Sequence, residues 1–106
     1  MEIWSSLEKH YSAISQKSLN ELFNENPDRG SDFSTSFENL WIDISKQLVD
    51  SKTIELFSDL AEESKVNQFF LDMMAGNPVN LTEKKPALHT ALRAPKGAKI
   101  LVDGKN

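Results

Sequence analysis

Apolar residues recur at helical spacing from the start of the chain. Trp4, Leu7, Tyr11 and Ile14 are three or four positions apart with charged or small residues between them, which predicts an amphipathic helix. Ser18-Leu19-Asn20-Glu21 has the Ser-x-x-Glu form of a capping box, so a second, short helix carrying Leu19, Leu22 and Phe23 is expected to start there and end before Pro27. Residues 24–31 bring Asn, Pro, Asp, Arg, Gly and Ser together and read as an exposed turn without regular structure. The period then falls to two. Phe33-Ser34-Thr35-Ser36-Phe37 and Leu40-Trp41-Ile42-Asp43-Ile44 flank Glu38-Asn39, the pattern of a β-hairpin. A two-stranded ribbon is marginal in water by itself, so this one must lie on the helices or join a sheet supplied from elsewhere.

Helical periodicity returns with Ile54, Leu56, Phe57, Leu60 and Ala61, behind a cap at Asp50 or Ser51 and ending near Ser64. Val66, Phe69, Phe70, Met73 and Met74 follow the i, i+3, i+4, i+7, i+8 pattern without a miss, and Gly76 with Pro78 stops that helix. The stripe of aromatic and Met side chains reads as core packing rather than as a ligand groove. Thr82-Glu83 is expected to open a last short helix through Leu88, Ala91 and Leu92, with Pro86 in its first turn and Pro95 closing it. Ile100-Leu101-Val102-Asp103-Gly104 is an apolar extended run. The expected fold class is mainly α with a small β-hairpin, α+β overall, in one segment spanning 1–106. Three adjacent apolar residues so near the C-terminal end, together with the lone hairpin, lead to the expectation that the chain is cut from a longer one or packs against one.

Composition narrows the chemistry. At 106 residues the chain can hold one modest hydrophobic centre. It contains no cysteine, which removes disulfide frameworks, zinc ribbons and thiol nucleophiles, and its two histidines, His10 and His89, are far apart. The net charge of -4 averages unlike parts: residues 1–82 carry 6 basic and 14 acidic side chains, residues 83–106 carry 6 basic and 2 acidic. Lys84, Lys85, Arg93, Lys96, Lys99 and Lys105 are spread out with no aromatic among them, so a nucleic-acid partner is not expected. No apolar run reaches the roughly 18 to 20 residues of a membrane span, and the first residues lack a signal-peptide pattern, so the expected location is the cytoplasm, with no membrane partner.

Candidate catalytic groups are few. Gly30, Gly76, Gly97 and Gly104 are isolated, so no phosphate-cradling loop can be written. His89-Thr90 is the only place where a His stands next to a Ser or Thr, and His89, like His10, reads as a packed histidine with one partner. Glu62-Glu63 reads as a solvated helix face, and Asp43-Ile44-Ser45-Lys46 as a polar strand end that caps the next turn. No catalytic, cofactor-binding or metal residue is assigned.

Taken in order, Leu22-Phe23, Asp28-Arg29, Phe33-Ser34, Asp43-Ile44-Ser45-Lys46, Leu60-Ala61, Met74-Ala75-Gly76, Asn80-Leu81-Thr82-Glu83, Leu88-His89-Thr90-Ala91-Leu92-Arg93 and Ile100-Leu101-Val102-Asp103-Gly104-Lys105 form a series. It resembles the N-terminal region of the glucose-6-phosphate isomerase (phosphoglucose isomerase) family over nearly the whole chain, most weakly before Leu19. The resemblance implies a longer parent of two sugar-isomerase α/β/α domains, homodimeric, working in glycolysis and gluconeogenesis. That parent interconverts glucose 6-phosphate and fructose 6-phosphate through a cis-enediol with no metal or organic cofactor. The family's base, ring-opening His, stabilising Arg and phosphate loop all fall beyond the matched segment, so none maps onto this chain, and the sugar phosphate is a substrate of the full-length enzyme only. Where the family usually has T-E-x-R and then a small or aliphatic residue, this chain has Thr82-Glu83-Lys84-Lys85-Pro86, which loses the planar fork of an Arg. The resemblance therefore implies an inactive supporting segment whose partners are the remaining sugar-isomerase domains. The alternative is a free-standing helical interaction module.

Overall fold

A computed structural model describes residues 2–105. The chain is mainly α with one two-stranded antiparallel hairpin, and it divides into two compact units, Met1–Leu60 and Ala61–Asn106, the division falling in the last turn of a helix.

The first unit starts with α1, Glu2–Ile14. Its buried side keeps two of the four expected positions, Ile14, which is buried, and Leu7, which is half-buried, but takes Ile3 and His10 in place of Trp4 and Tyr11, which are exposed. The face is turned by about 50°, half of the roughly 100° between successive residues, and the turn brings His10 to partners near residue 50. Helix α2, Leu19–Glu25, begins with the expected capping box: the Ser18 hydroxyl accepts from Glu21 N–H at 3.2 Å and the Glu21 carboxylate accepts from Ser18 N–H at 2.6 Å. Donation from the Ser18 N–H, with the Ser18 hydroxyl beside it, holds the Glu21 carboxyl below its ordinary range.

Residues 24–31 correct the sequence reading. The segment is not an open turn throughout, because Arg29–Asp32 forms a one-turn helix, α3, and Arg29 is only 1% exposed. Strands β1, Ser34–Phe37, and β2, Leu40–Asp43, follow as expected, with Ser34 opposite Asp43 and Phe37 opposite Leu40. The connecting Glu38 has φ 50. The Ile44 N–H to Phe33 O bond, 2.9 Å, carries the pairing one step beyond the strands. Within the described residues this sheet has no third strand, and Phe37 and Trp41 stand 74% and 69% exposed.

Asp50, not Ser51, caps α4, Ser51–Glu63: its Oδ1 accepts from Thr53 N–H at 2.9 Å while Thr53 Oγ1 accepts from Asp50 N–H at 3.0 Å. Thr53 and Leu56 face inward, and the small core of this unit consists of Ile3, Ile14, Leu22 and Leu56.

The second unit contains α5, Val66–Met74. Its end has the two bonds of a Schellman motif, Gly76 N–H to Met73 O at 3.2 Å and Asn77 N–H to Asp72 O at 2.9 Å, with Gly76 at φ 77. The expectation that its stripe forms a core does not hold in this chain: no α5 residue is fully buried, and Val66, Phe69, Phe70 and Met74 are all exposed. The helix expected from Thr82 is also absent. Asn80 bridges to Lys85, its Oδ1 accepts from the Thr82 hydroxyl at 2.9 Å, and Lys84 takes φ 52, so these residues close a turn instead. Only His89–Arg93 is helical there, as a 3-10 turn against α5, and it stops before Pro95 as expected. The apolar run ends in a tight turn: Val102 and Lys105 exchange N–H···O bonds of 2.8 and 2.9 Å around Asp103 and Gly104, both at positive φ. Asp-Gly is the sequence signal for such a turn.

Candidate functional site

The densest polar constellation lies around Arg29. The loop at residues 44–49 turns its carbonyls inward, fixed by Gln47 N–H to Ile44 O and Val49 N–H to Gln47 O. Arg29 donates to all three of the carbonyls that result: Nε to Ser45 O at 2.6 Å, Nη2 to Gln47 O at 2.7 Å and Nη1 to Val49 O at 2.6 Å. The guanidinium sits over the rings of Phe33 and Phe23, 4.7 and 5.7 Å from their centroids. Carbonyl dipoles and ring faces thus stand in for water around a buried charge. A planar fork with fixed donors suits this task, and an ammonium does not. Each guanidinium nitrogen donates to backbone, so the arrangement holds a loop in place. The fork missing at Lys85 is therefore no guide to the one that matters structurally here. The signal for Arg29 in the sequence was a lone Arg inside an apparent turn with Phe23 and Phe33 on either side.

The turn after β2 behaves as the sequence suggested. Asp43 Oδ1 accepts from Ser45 N–H at 2.8 Å, and the Ser45 hydroxyl and N–H hold the Asp43 carboxyl below its ordinary range. Lys46 is exposed.

A second constellation joins α1 to the start of α4. His10 Nε2 lies 2.7 Å from Thr53 Oγ1 and 3.2 Å from Asp50 Oδ1. The Thr53 hydroxyl gives its one proton to Asp50 Oδ1 at 3.1 Å and accepts from Asp50 N–H, so its remaining lone pair takes the proton of His10 Nε2. His10 is thus the packed histidine expected, with a hydroxyl and a carboxylate as partners. Both contacts use the same nitrogen, which is not the geometry of a base relaying a proton between two neighbours.

Burial raises the Asp50 carboxyl, but the Thr53 N–H and hydroxyl together with His10 outweigh it and leave the group below its ordinary range. In the unfolded chain such a carboxyl takes up its proton more readily, near the usual value of about 3.9. Its contribution to stability is therefore complete above that value and is lost as pH falls through the lower folded one. Thermal unfolding followed from about pH 6 to about pH 2 is expected to show falling stability, with a shallower acid slope in Asp50→Asn, which keeps an acceptor but does not titrate. Equal slopes would show that Asp50 does not carry this dependence.

The other candidates do not assemble. His89 is exposed, and among the described residues it makes no side-chain hydrogen bond, so the packing expected of it is absent in this chain; Thr90 is half-buried. Glu62 and Glu63 are exposed, as are Glu83 and Lys85, with Glu83 Oε2 receiving only a 3.4 Å bond from Asn80. No group of His, Asp and Glu among the described residues has the arrangement to hold a metal ion. No described helix is long and apolar enough to cross a membrane.

Two clefts are found among the described residues, the smaller of about 560 Å³ between α1 and α4, lined by Ile3, His10 and Leu56. Within the first unit, one face of the hairpin and one stripe of α4 enclose the larger, of about 770 Å³. Phe33, Ile42, Ile44 and Ile54 form its apolar floor, and Asp32, Glu55 and Asp59 line it with carboxylates. Nothing in it resembles a phosphate clamp, since no Lys or Arg lines it.

Comparison with known sequences places this arrangement among relatives. The family described as Phosphoglucose isomerase matches residues 43–106. The chain is 42% identical over 103 residues to "Glucose-6-phosphate isomerase" of Gloeobacter violaceus, 40% to that of Mycobacterium avium and 43% to that of Pseudomonas fluorescens. Each match covers 97% of this chain and 19% of the relative, so the chain spans about a fifth of the length of these curated relatives.

Proposed function

Since the chain belongs to the phosphoglucose isomerase family, we propose that it serves as the N-terminal segment of a glucose-6-phosphate isomerase, and that all of residues 1–106 support catalytic sugar-isomerase domains without contributing a reacting group. In this reading the whole enzyme interconverts glucose 6-phosphate and fructose 6-phosphate through an enediol in the cytoplasm, works as a homodimer and uses no cofactor. The chain alone is inactive. The observation that carries the reading is the family match over residues 43–106 in a chain that spans 19% of its relatives.

The chemistry of the residues supports it. An aldose-ketose isomerisation needs a positioned base, a group that stabilises the enediolate and a clamp for the phosphate. The polar groups that are well placed here, Arg29, Asp50, Asp43 and Glu21, are all committed to backbone or to caps.

The test is a coupled assay for fructose 6-phosphate conversion. It is run on the chain alone, on the Gloeobacter violaceus relative shortened by the region matched here, and on the two mixed. Turnover is expected only in the mixture. Turnover by the chain alone would overturn the supporting role and put His89, Glu83 and Lys85 at the reacting atoms. Silence in all three would favour the helical interaction module.

A further inference from the structure

We propose that the cleft between the hairpin and α4 is the seat of a segment from the remaining four fifths of the family polypeptide, one that presents aliphatic side chains flanked by Lys or Arg. The inference rests on the reading of the chain as a supporting segment and specifies which surface does the supporting.

The cleft has two walls that face each other by construction. In an antiparallel pair, residues two apart share a face, so Thr35 and its partner Ile42 lie on the same side as Phe33 and Ile44. On α4, Ser51, Ile54, Glu55, Ser58 and Asp59 follow the i, i+3, i+4, i+7, i+8 spacing and form a stripe distinct from that of Thr53 and Leu56, which are buried. Both walls belong to one compact unit, and the Arg29 lock and the Asp50 cap fix the loop between them. Such a surface is preformed, so little ordering is needed when a partner binds.

Its chemistry selects the occupant. Ile42 and Ile54 remain 48% and 40% exposed, although among the described residues the interior of this unit has four buried hydrophobic residues. Aliphatic surface left in a concave site marks an interaction surface. The lining charges are Asp32, Glu55 and Asp59. Lys52 answers Glu55 at 2.8 Å from outside the cleft, which leaves the lining acidic overall. A basic, aliphatic segment complements both features. A sugar phosphate does not, because its dianion would meet carboxylates. The source follows from length: relatives matched over 97% of this chain are about five times longer.

The experiment measures binding of the chain to the shortened Gloeobacter violaceus relative by titration calorimetry at low and moderate salt. Ile54→Lys places a charge on the apolar floor and is expected to weaken binding about tenfold or more. Asp59→Lys alters only the lining and is expected to weaken it by a smaller factor, with a reduced salt dependence. Phe70→Lys, on the exposed stripe of α5, tests the rival apolar face and is expected to weaken binding less than Ile54→Lys. Unchanged far-UV circular dichroism and melting temperature establish that each variant folds; if Ile54→Lys does not, Asp59→Lys, at an exposed helix position, carries the test alone. Binding by the original chain with equal affinity for the cleft variants would overturn the docking site and leave the supporting role standing. Loss of binding in Phe70→Lys alone would overturn it in favour of the α5 face. No binding by the original chain would overturn the supporting role and the docking site together.

Discussion

Arg29→Ala is expected to destabilise the first unit by about 3–5 kcal/mol, an amount comparable with the whole stability of a small domain. The substitution takes a donor from three carbonyls, those of Ser45, Gln47 and Val49, of which Gln47 O keeps the Val49 N–H, in a place where Arg29 is 1% exposed. Each buried acceptor left without a partner costs about 1–3 kcal/mol, reduced where water can enter the space vacated. Phe23 and Phe33 also lose the cation above their rings. Two further variants separate these contributions. Arg29→Met keeps much of the apolar bulk but no donor, and Arg29→Lys keeps the charge but not the planar fork. If the hydrogen bonds dominate, Met is nearly as damaging as Ala and Lys is intermediate. Urea unfolding followed by far-UV circular dichroism gives the three midpoints and slopes. A loss of less than about 1 kcal/mol for Ala would show that the loop at residues 44–49 holds its shape without Arg29.

That side chain also marks where sequence reasoning stops. Local chemistry is readable: the capping box at Ser18 and Glu21, the hairpin around Glu38-Asn39 and the stop at Gly76 all depend on residues within a few positions of one another. Arg29 depends on carbonyls 16 to 20 positions away, and a carbonyl has the same sequence signature at every residue. The composition of residues 24–31 therefore pointed to an exposed turn, while the long-range bonds made it the best-buried polar site. Half of the α1 face, at Trp4 and Tyr11, departs from the expected one for a related reason. Trp4 and Tyr11 outrank His10 on any hydrophobic scale, but His10 has a hydroxyl and a carboxylate waiting at Thr53 and Asp50, and the helix turns toward them.

The stripe on α5 is the opposite case. Its periodicity predicted the helix correctly, but periodicity says only that one face is apolar, not that the same chain covers it. Phe69, Phe70 and Met74 remain exposed, as do Phe37 and Trp41 on the hairpin. No local rule separates a core-facing stripe from a partner-facing one, since both follow the same spacing. For the functional site, the sequence reading rests on missing motifs, and the four well-placed polar groups Arg29, Asp50, Asp43 and Glu21 are held by backbone or caps.

Gly76→Ala is expected to cost the second unit about 2–5 kcal/mol, combining two effects that a second glycine can separate. Gly76 has φ 77, a conformation that an L side chain adopts at a cost of about 1–2 kcal/mol. A Cβ there would also stand 2.6 Å from the backbone oxygen of Leu101. A carbonyl cannot swing aside as a flexible side chain can, so the turn after α5 or the strand-like run at Leu101 must shift, adding about 1–3 kcal/mol. Gly97 has φ 88 with nothing within 4 Å of the same position, so Gly97→Ala incurs the conformational cost without the collision. Amide hydrogen exchange is the suitable measurement. The N–H groups of Gly76 and Asn77 close the end of α5, and those of Val102 and Lys105 close the turn beyond Leu101. Gly76→Ala is expected to speed exchange at both places, because the collision joins them. Gly97→Ala is expected to leave them nearly unchanged. Equal protection in the two variants would mean that the approach of Gly76 to Leu101 contributes nothing, and that the glycine is needed only for its backbone angle.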